Sequence, residues 1–61
     1  MIATFVIYES DDVGIDYTNK LTERVLQKNI GSVSWESKKD DSGRSFFEVK
    51  FDVPQENLIL L

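Results

Sequence analysis

Ser45-Phe46-Phe47-Glu48-Val49-Lys50-Phe51-Asp52-Val53 is the stretch that decides the fold. Phe47, Val49, Phe51 and Val53 share one side of an extended chain, and Phe46, Glu48, Lys50 and Asp52 share the other. A period of two with one apolar side predicts a half-buried strand. Pro54 ends it, because proline cannot donate to a ladder.

Upstream of this strand, Lys38-Lys39-Asp40-Asp41-Ser42-Gly43 has the composition of a hairpin loop, with Gly43 available for positive φ. Before it, Ser32 to Ser37 also alternates. Val33 and Trp35 point one way, Ser34 and Glu36 the other. Asp16 to Asn29 predicts a helix whose buried face carries Tyr17, Leu21, Val25 and Leu26. Asp16 is the expected N-cap, and Asn29-Ile30-Gly31 the expected stop, with Gly31 left-handed. Ile2 to Tyr8 is an unbroken β-branched and aromatic run, the composition of a strand covered on both faces. Downstream, Asp52-Val53-Pro54-Gln55 resembles a capping box, and Asn57 to Leu61 is expected to form a short helix in preference to an extended tail.

The element order is therefore strand, helix, strand, strand, in one α+β domain covering residues 1–61. A strand–helix–strand unit makes its two strands parallel. The third strand then fits between them, giving a three-stranded sheet in spatial order 1-3-2 with the helix on one face. The expected core is Phe47, Val49 and Phe51 beside Val33 and Trp35, covered by Tyr17, Leu21 and Val25. This is the first three-quarters of a ferredoxin-like sandwich. A parallel crossover to a fourth strand needs about a dozen residues, and eight follow Val53. Strand one is thus expected to keep an open edge, which attracts partners. The tail Leu58-Ile59-Leu60-Leu61 adds apolar surface, which suits self-association as a homodimer or packing beneath the chain's own sheet.

Composition narrows the function. Sixty-one residues bury only ~60% of the surface of the unfolded chain. The chain has no Cys and no His, which excludes disulfides and the usual zinc sets. No glycine-rich phosphate loop or nucleophile elbow is present. The expectation is a non-enzymatic protein without a cofactor. Glu9, Asp11, Asp12 and Asp16 could offer oxygen ligands to Ca²⁺ or Mg²⁺, but their spacing is not that of a calcium loop, and the expected role is to stabilise a helix N-terminus. A net charge of −4 opposes bulk attraction to nucleic acid or an anionic membrane. No apolar run is long enough to span a bilayer, and the default compartment is the cytoplasm.

Two patterns bear on partners. Gly43-Arg44-Ser45-Phe46-Phe47-Glu48-Val49-Lys50-Phe51 distantly resembles the main signature of the RNA-recognition motif. Arg44, Phe46, Val49 and Phe51 fit it; Ser45 and Phe47 replace small residues, and Glu48 stands where a second stacking aromatic belongs. The resemblance implies a single-stranded nucleic-acid binder in which Phe46, with Tyr8 near it, stacks on bases. On the helix, Lys20, Arg24 and Lys28 recur every four residues as a basic stripe, expected to be a solvated face.

The preferred expectation is a small acidic protein that occupies a partner's surface. Such a protein can block basic sites by setting carboxylates where phosphates would lie. By general analogy, phage and mobile-element inhibitors and adaptors work in this way. The carboxylates expected to make the contact are Glu9, Asp11, Asp12 and Asp16 on the first loop and Asp40 and Asp41 on the hairpin, at one end of the sheet. A structural or assembly subunit, dependent on the tail, is the third class.

Overall fold

The computed structural model describes residues 1–61. Its elements are β1 (Ile2–Tyr8), α1 (Asp12–Lys28), β2 (Ser32–Lys39), β3 (Ser45–Asp52) and a 3-10 helix, η1 (Gln55–Leu60). The sheet order is β1-β3-β2, with β3 antiparallel to both neighbours. The expected β-α-β-β layout is the observed one.

One register rule organises the sheet. β1 pairs Phe5 with Val49, and β2 pairs Trp35 with Val49. Residues directly opposite share a face, so odd-numbered residues of all three strands face α1 and even-numbered residues face away. The helix side collects Ile7, Val49 and Phe51 as buried residues, joined by Val25, Ile30 and Val53. Val33, Trp35 and Phe47 pack around them. The other face has no covering layer.

The helix differs from expectation at both ends. It begins at Asp12, and the N-cap is Asp11, not Asp16: the Gly14 N–H donates to Asp11 Oδ1 at 3.0 Å. Asp11 can cap because the Asp11 N–H is already turned back onto the Tyr8 carbonyl, at 2.9 Å. Starting four residues earlier recruits Ile15 to the inward face, beside Thr18, Leu21 and Val25. Tyr17 and Leu26 are therefore not core residues; they are 69% and 57% exposed. Thr18 is buried, and its hydroxyl is satisfied by donating to the Gly14 carbonyl at 2.8 Å. At the other end Asn29, not Gly31, takes the left-handed conformation, at φ 53° and ψ 45°. Asn tolerates that region through its short polar side chain. Gly31 is required for a different reason, close approach: a Cβ there would stand 2.5 Å from the Asp52 carbonyl oxygen.

β2 runs two residues past its expected end, so Lys38 and Lys39 are strand residues and the hairpin turn is Asp40 to Arg44. Gly43 adopts φ 83° there, as that turn demands. The capping box at Asp52 does not form. Asp52 stays in β3, Pro54 occupies the cap, and no side chain bonds the first turn of η1. The tail is helical, but as a 3-10 helix. It folds onto its own domain through Leu58 and Leu61, and Asn57 Nδ2 donates to the Ile30 carbonyl at 3.1 Å.

Only seven of the 61 residues are buried. The Cα radius of gyration is 12.5 Å, against ~10.5 Å for an average domain of this length. The molecule is a thin two-layer slab, and much of its apolar surface lies outside the core.

Candidate functional site: an unguarded sheet edge and an acidic corner

β1 lies at an edge, paired only to β3. Between Ile2 and Tyr8 it has no charged residue, no proline and no glycine. Charge and proline are the residue features that normally blunt an edge. Composition suited a strand covered on both faces, but Ile2 is 74% exposed and Val6 59%. The β2 edge differs, since it ends in Lys38 and Lys39 and carries Ser32, Ser34 and Ser37.

The hydrogen bonds fix which backbone groups of β1 are free. Met1 N donates to the Val53 carbonyl at 2.6 Å, and the Val53 N–H returns a bond to the Met1 carbonyl at 2.9 Å. The Glu9 N–H donates to Ser45 O at 3.0 Å. Antiparallel ladders alternate, so the odd residues of β1 aim their N–H and C=O groups at β3. Ile2, Thr4 and Val6 aim theirs outward.

Beside this edge, on the helix side, is an apolar cleft of ≈ 50 Å³. Ala3, Phe5, Leu21, Val25, Phe51 and Leu61 are among its lining residues, and every lining residue is hydrophobic. The helix lies closest to β2, which leaves β1 thinly covered. Phe5 is 40% exposed and meets Phe51 edge-on, with centroids 5.6 Å apart.

The acidic residues gather as expected at one end of the sheet, but several are committed locally. Asp11 caps α1. Asp16 pairs with Lys20 at 3.2 Å on the exposed helix surface. Asp40 organises the hairpin turn: it accepts from Ser42 Oγ (2.7 Å), Ser42 N (3.0 Å), Arg44 N (2.9 Å) and Tyr8 Oη (3.0 Å). The Ser42 hydroxyl, then the Arg44 N–H, hold the Asp40 carboxyl down at about 2. The Asp40 carboxylate, by accepting the phenol's bond, raises the pKa of Tyr8. Glu9, Asp12 and Asp41 are exposed and hold no side-chain bond. No three acidic side chains come together in a group able to hold a metal ion.

A depressed folded-state pKa stabilises above the unfolded value and is lost as pH falls through the folded one. The Asp40 contribution is therefore complete above about pH 4 and disappears toward pH 2. Asp40→Asn is expected to melt lower at neutral pH and to lose less further stability over that acid interval. Thermal melts of both proteins from pH 5 to pH 2 check this; parallel curves would refute it.

Phe46 lies on the uncovered face against Tyr8, with centroids 5.8 Å apart, and the Arg44 guanidinium sits 4.4 Å above the Tyr8 ring. The lysines on the rest of that face are paired with its glutamates. Lys38 pairs with Glu48 (3.2 Å) and Glu36 (3.6 Å), and Lys50 with Glu48 (3.6 Å). The Lys38 ammonium holds Glu48 below the usual carboxylate range, and Glu48 in turn raises the pKa of Lys38. The helix stripe is engaged too: Lys28 donates to the Leu60 carbonyl and Arg24 to that of Leu61 at 3.4 Å. Of the tail, Ile59 and Leu60 point outward, 90% and 50% exposed.

In the sequence, charge and hydropathy mark the loops and the tail, and topology marks the open edge, but nothing marks Ile2, Phe5 or Val6 as single residues. The absence of any charge across seven edge residues was the available signal. No helix is long and apolar enough to cross a membrane. No family model, curated protein or solved structure matches this chain.

Proposed function

We propose that this chain is a small non-enzymatic binding module that works by accepting an extended strand at β1. The observation that supports this most is the bare edge itself. Ile2, Thr4 and Val6 offer unpaired backbone donors and acceptors, and apolar side chains flank them on both faces. Strand addition uses such a row: main-chain bonds supply affinity, and side-chain pockets supply selectivity. The cleft beside Ala3 is a pocket of that kind.

The acidic loops are a weaker basis for contact. The carboxylates of Asp11 and Asp40 already serve the fold, which leaves Glu9, Asp12 and Asp41 to act on a basic partner. A nucleic-acid role has less support, because Lys38 and Lys50 are paired to glutamates and Phe46 and Tyr8 form a single stacking corner. Proteins captured from the native cell on wild type, Thr4→Pro and Asp11→Asn/Asp12→Asn would separate these readings. Thr4→Pro removes an outward N–H without touching the β1–β3 ladder, so it is expected to lose capture while the acidic variant keeps it. Amide exchange at Ile2, Thr4 and Val6 is expected to slow only in the complex. Capture equal for wild type and Thr4→Pro would sink the proposal.

A further inference from the structure

The free groups of β1 satisfy a two-fold condition. We infer that two copies of this chain pair β1 with β1, antiparallel about Thr4, and that Phe5 of each copy packs over the mouth of the apolar cleft beside Ala3 of the other. This rests on the strand-addition reading and names its occupant.

The outward-facing residues Ile2, Thr4 and Val6 are spaced evenly about Thr4. A two-fold axis normal to the sheet sets Thr4 opposite Thr4 and Ile2 opposite Val6. Each such pair exchanges two bonds, giving roughly six between the chains. Every outward group of Ile2, Thr4 and Val6 is used. Centring the axis on Ala3 leaves Val6 without a partner. Centring it on Phe5 sets the two Phe5 rings against each other and pairs Ile2 with Tyr8, whose carbonyl already accepts the Asp11 N–H.

The same register decides the side chains. Between the bonded pairs lie the closer, non-bonded pairs, and these are Ala3 with Phe5, twice. Both face the helix side. Both line the cleft: Ala3 is the small residue, and Phe5 is the large one left 40% exposed. A large side chain thus meets a small one next to an apolar opening, on both sides of the axis. On the uncovered face, exposed Ile2 meets exposed Val6.

Charge selects the same arrangement. β1 carries none, and the acidic loops lie at one end of the sheet. Antiparallel pairing puts the two acidic ends at opposite ends of a six-stranded sheet, whereas parallel pairing would set two copies of net charge −4 with those ends together. Association is also a common source of stability for a domain with so thin a core.

The chain has no cysteine, so a single introduced thiol reports one position. Thr4→Cys is expected to form a disulfide dimer with itself under mild oxidation. Ile2→Cys and Val6→Cys are expected to cross-link poorly alone and well when mixed in equal amounts. All three side chains are exposed, so circular dichroism is expected to stay that of wild type. Sedimentation equilibrium is expected to give a dimer for wild type and a folded monomer for Thr4→Pro. Ile2→Cys cross-linking alone as fast as in the mixture would overturn the register. Wild type still monomeric at about 1 mM would overturn the dimer. If that monomer still loses its captured partner on Thr4→Pro, the edge serves a different protein and strand addition stands. If capture is also unchanged, both readings fail.

Discussion

Phe51→Ala is expected to remove half or more of the domain's folding stability. Phe51 sits on the central strand, 2% exposed, opposite Ala3 on one side and Val33 on the other. Alanine can fill little of that space, because Ala3 is small and Phe5 would lose its edge-on partner. Truncating a buried phenylalanine costs ~3–5 kcal/mol. At ~0.05–0.15 kcal/mol per residue, a domain of this size has ~3–9 kcal/mol in total. The matched control is Phe46→Ala, on the uncovered face of the same strand, expected to cost about 1 kcal/mol through its contact with Tyr8. Urea titrations of the two variants check this. Equal losses would contradict the assignment of odd residues to the helix side.

Gly31→Ala is the second large effect, and it operates through backbone. The added methyl would stand 2.5 Å from the Asp52 carbonyl oxygen and 3.1 Å from the Val53 Cα. Neither atom can swing aside as the end of a side chain can, so β3 and the turn after α1 must separate. Overpacking of this kind costs ~1–3 kcal/mol, or ~4–24 °C in Tm for so small a domain. Gly43→Ala separates crowding from conformational strain. Nothing lies within 4 Å of a Cβ there, and only the positive φ of 83° opposes it, at ~1 kcal/mol. A Tm for Gly31→Ala equal to that of wild type would show that the two segments are not in contact.

The legible part of the fold was the part set by local period. The alternation through Phe47, Val49 and Phe51 marked the central strand, and the strand–helix–strand–strand order placed β1 at an edge of the sheet. The helix start was misjudged because Asp11, Asp12 and Asp16 are all plausible caps; a backbone bond from Asp11 to Tyr8 decides among them, and only folding creates it. Tyr17 looked inward because its spacing to Leu21 is helical. The buried stripe instead runs through Ile15 and Thr18, and Thr18 can enter it by bonding its own helix. The start of η1 was hidden for a similar reason, since β3 runs through Asp52 and the helical turn opens only at Gln55, with Pro54 in the cap position. At the candidate site, charge drew attention to carboxylates that the folded chain uses for its own turns. The edge carries no conspicuous residue type, and it becomes visible only when pairing on one side is known to be missing on the other.

The tail changes what a truncation can report. Removing the residues after Gln55 would strip Leu58 and Leu61 from the core along with the exposed Ile59 and Leu60. Substituting Ile59 and Leu60 by aspartate isolates the outward surface and leaves the inward one in place.

The shared register of the three strands has a consequence for sequence drift. Ala3, Phe5 and Ile7, Val33 and Trp35, and Phe47, Val49 and Phe51 all carry odd numbers and all face the helix. Even positions from Ser32 to Lys38 and from Phe46 to Asp52 face away. A saturation library sorted by parity would then separate into constrained and permissive sites from Ser32 to Glu36 of β2 and along β3. Along β1 the two classes are expected to merge, because its even positions also bear on whatever joins the edge. The strand on which parity stops predicting tolerance marks the surface under selection for contact.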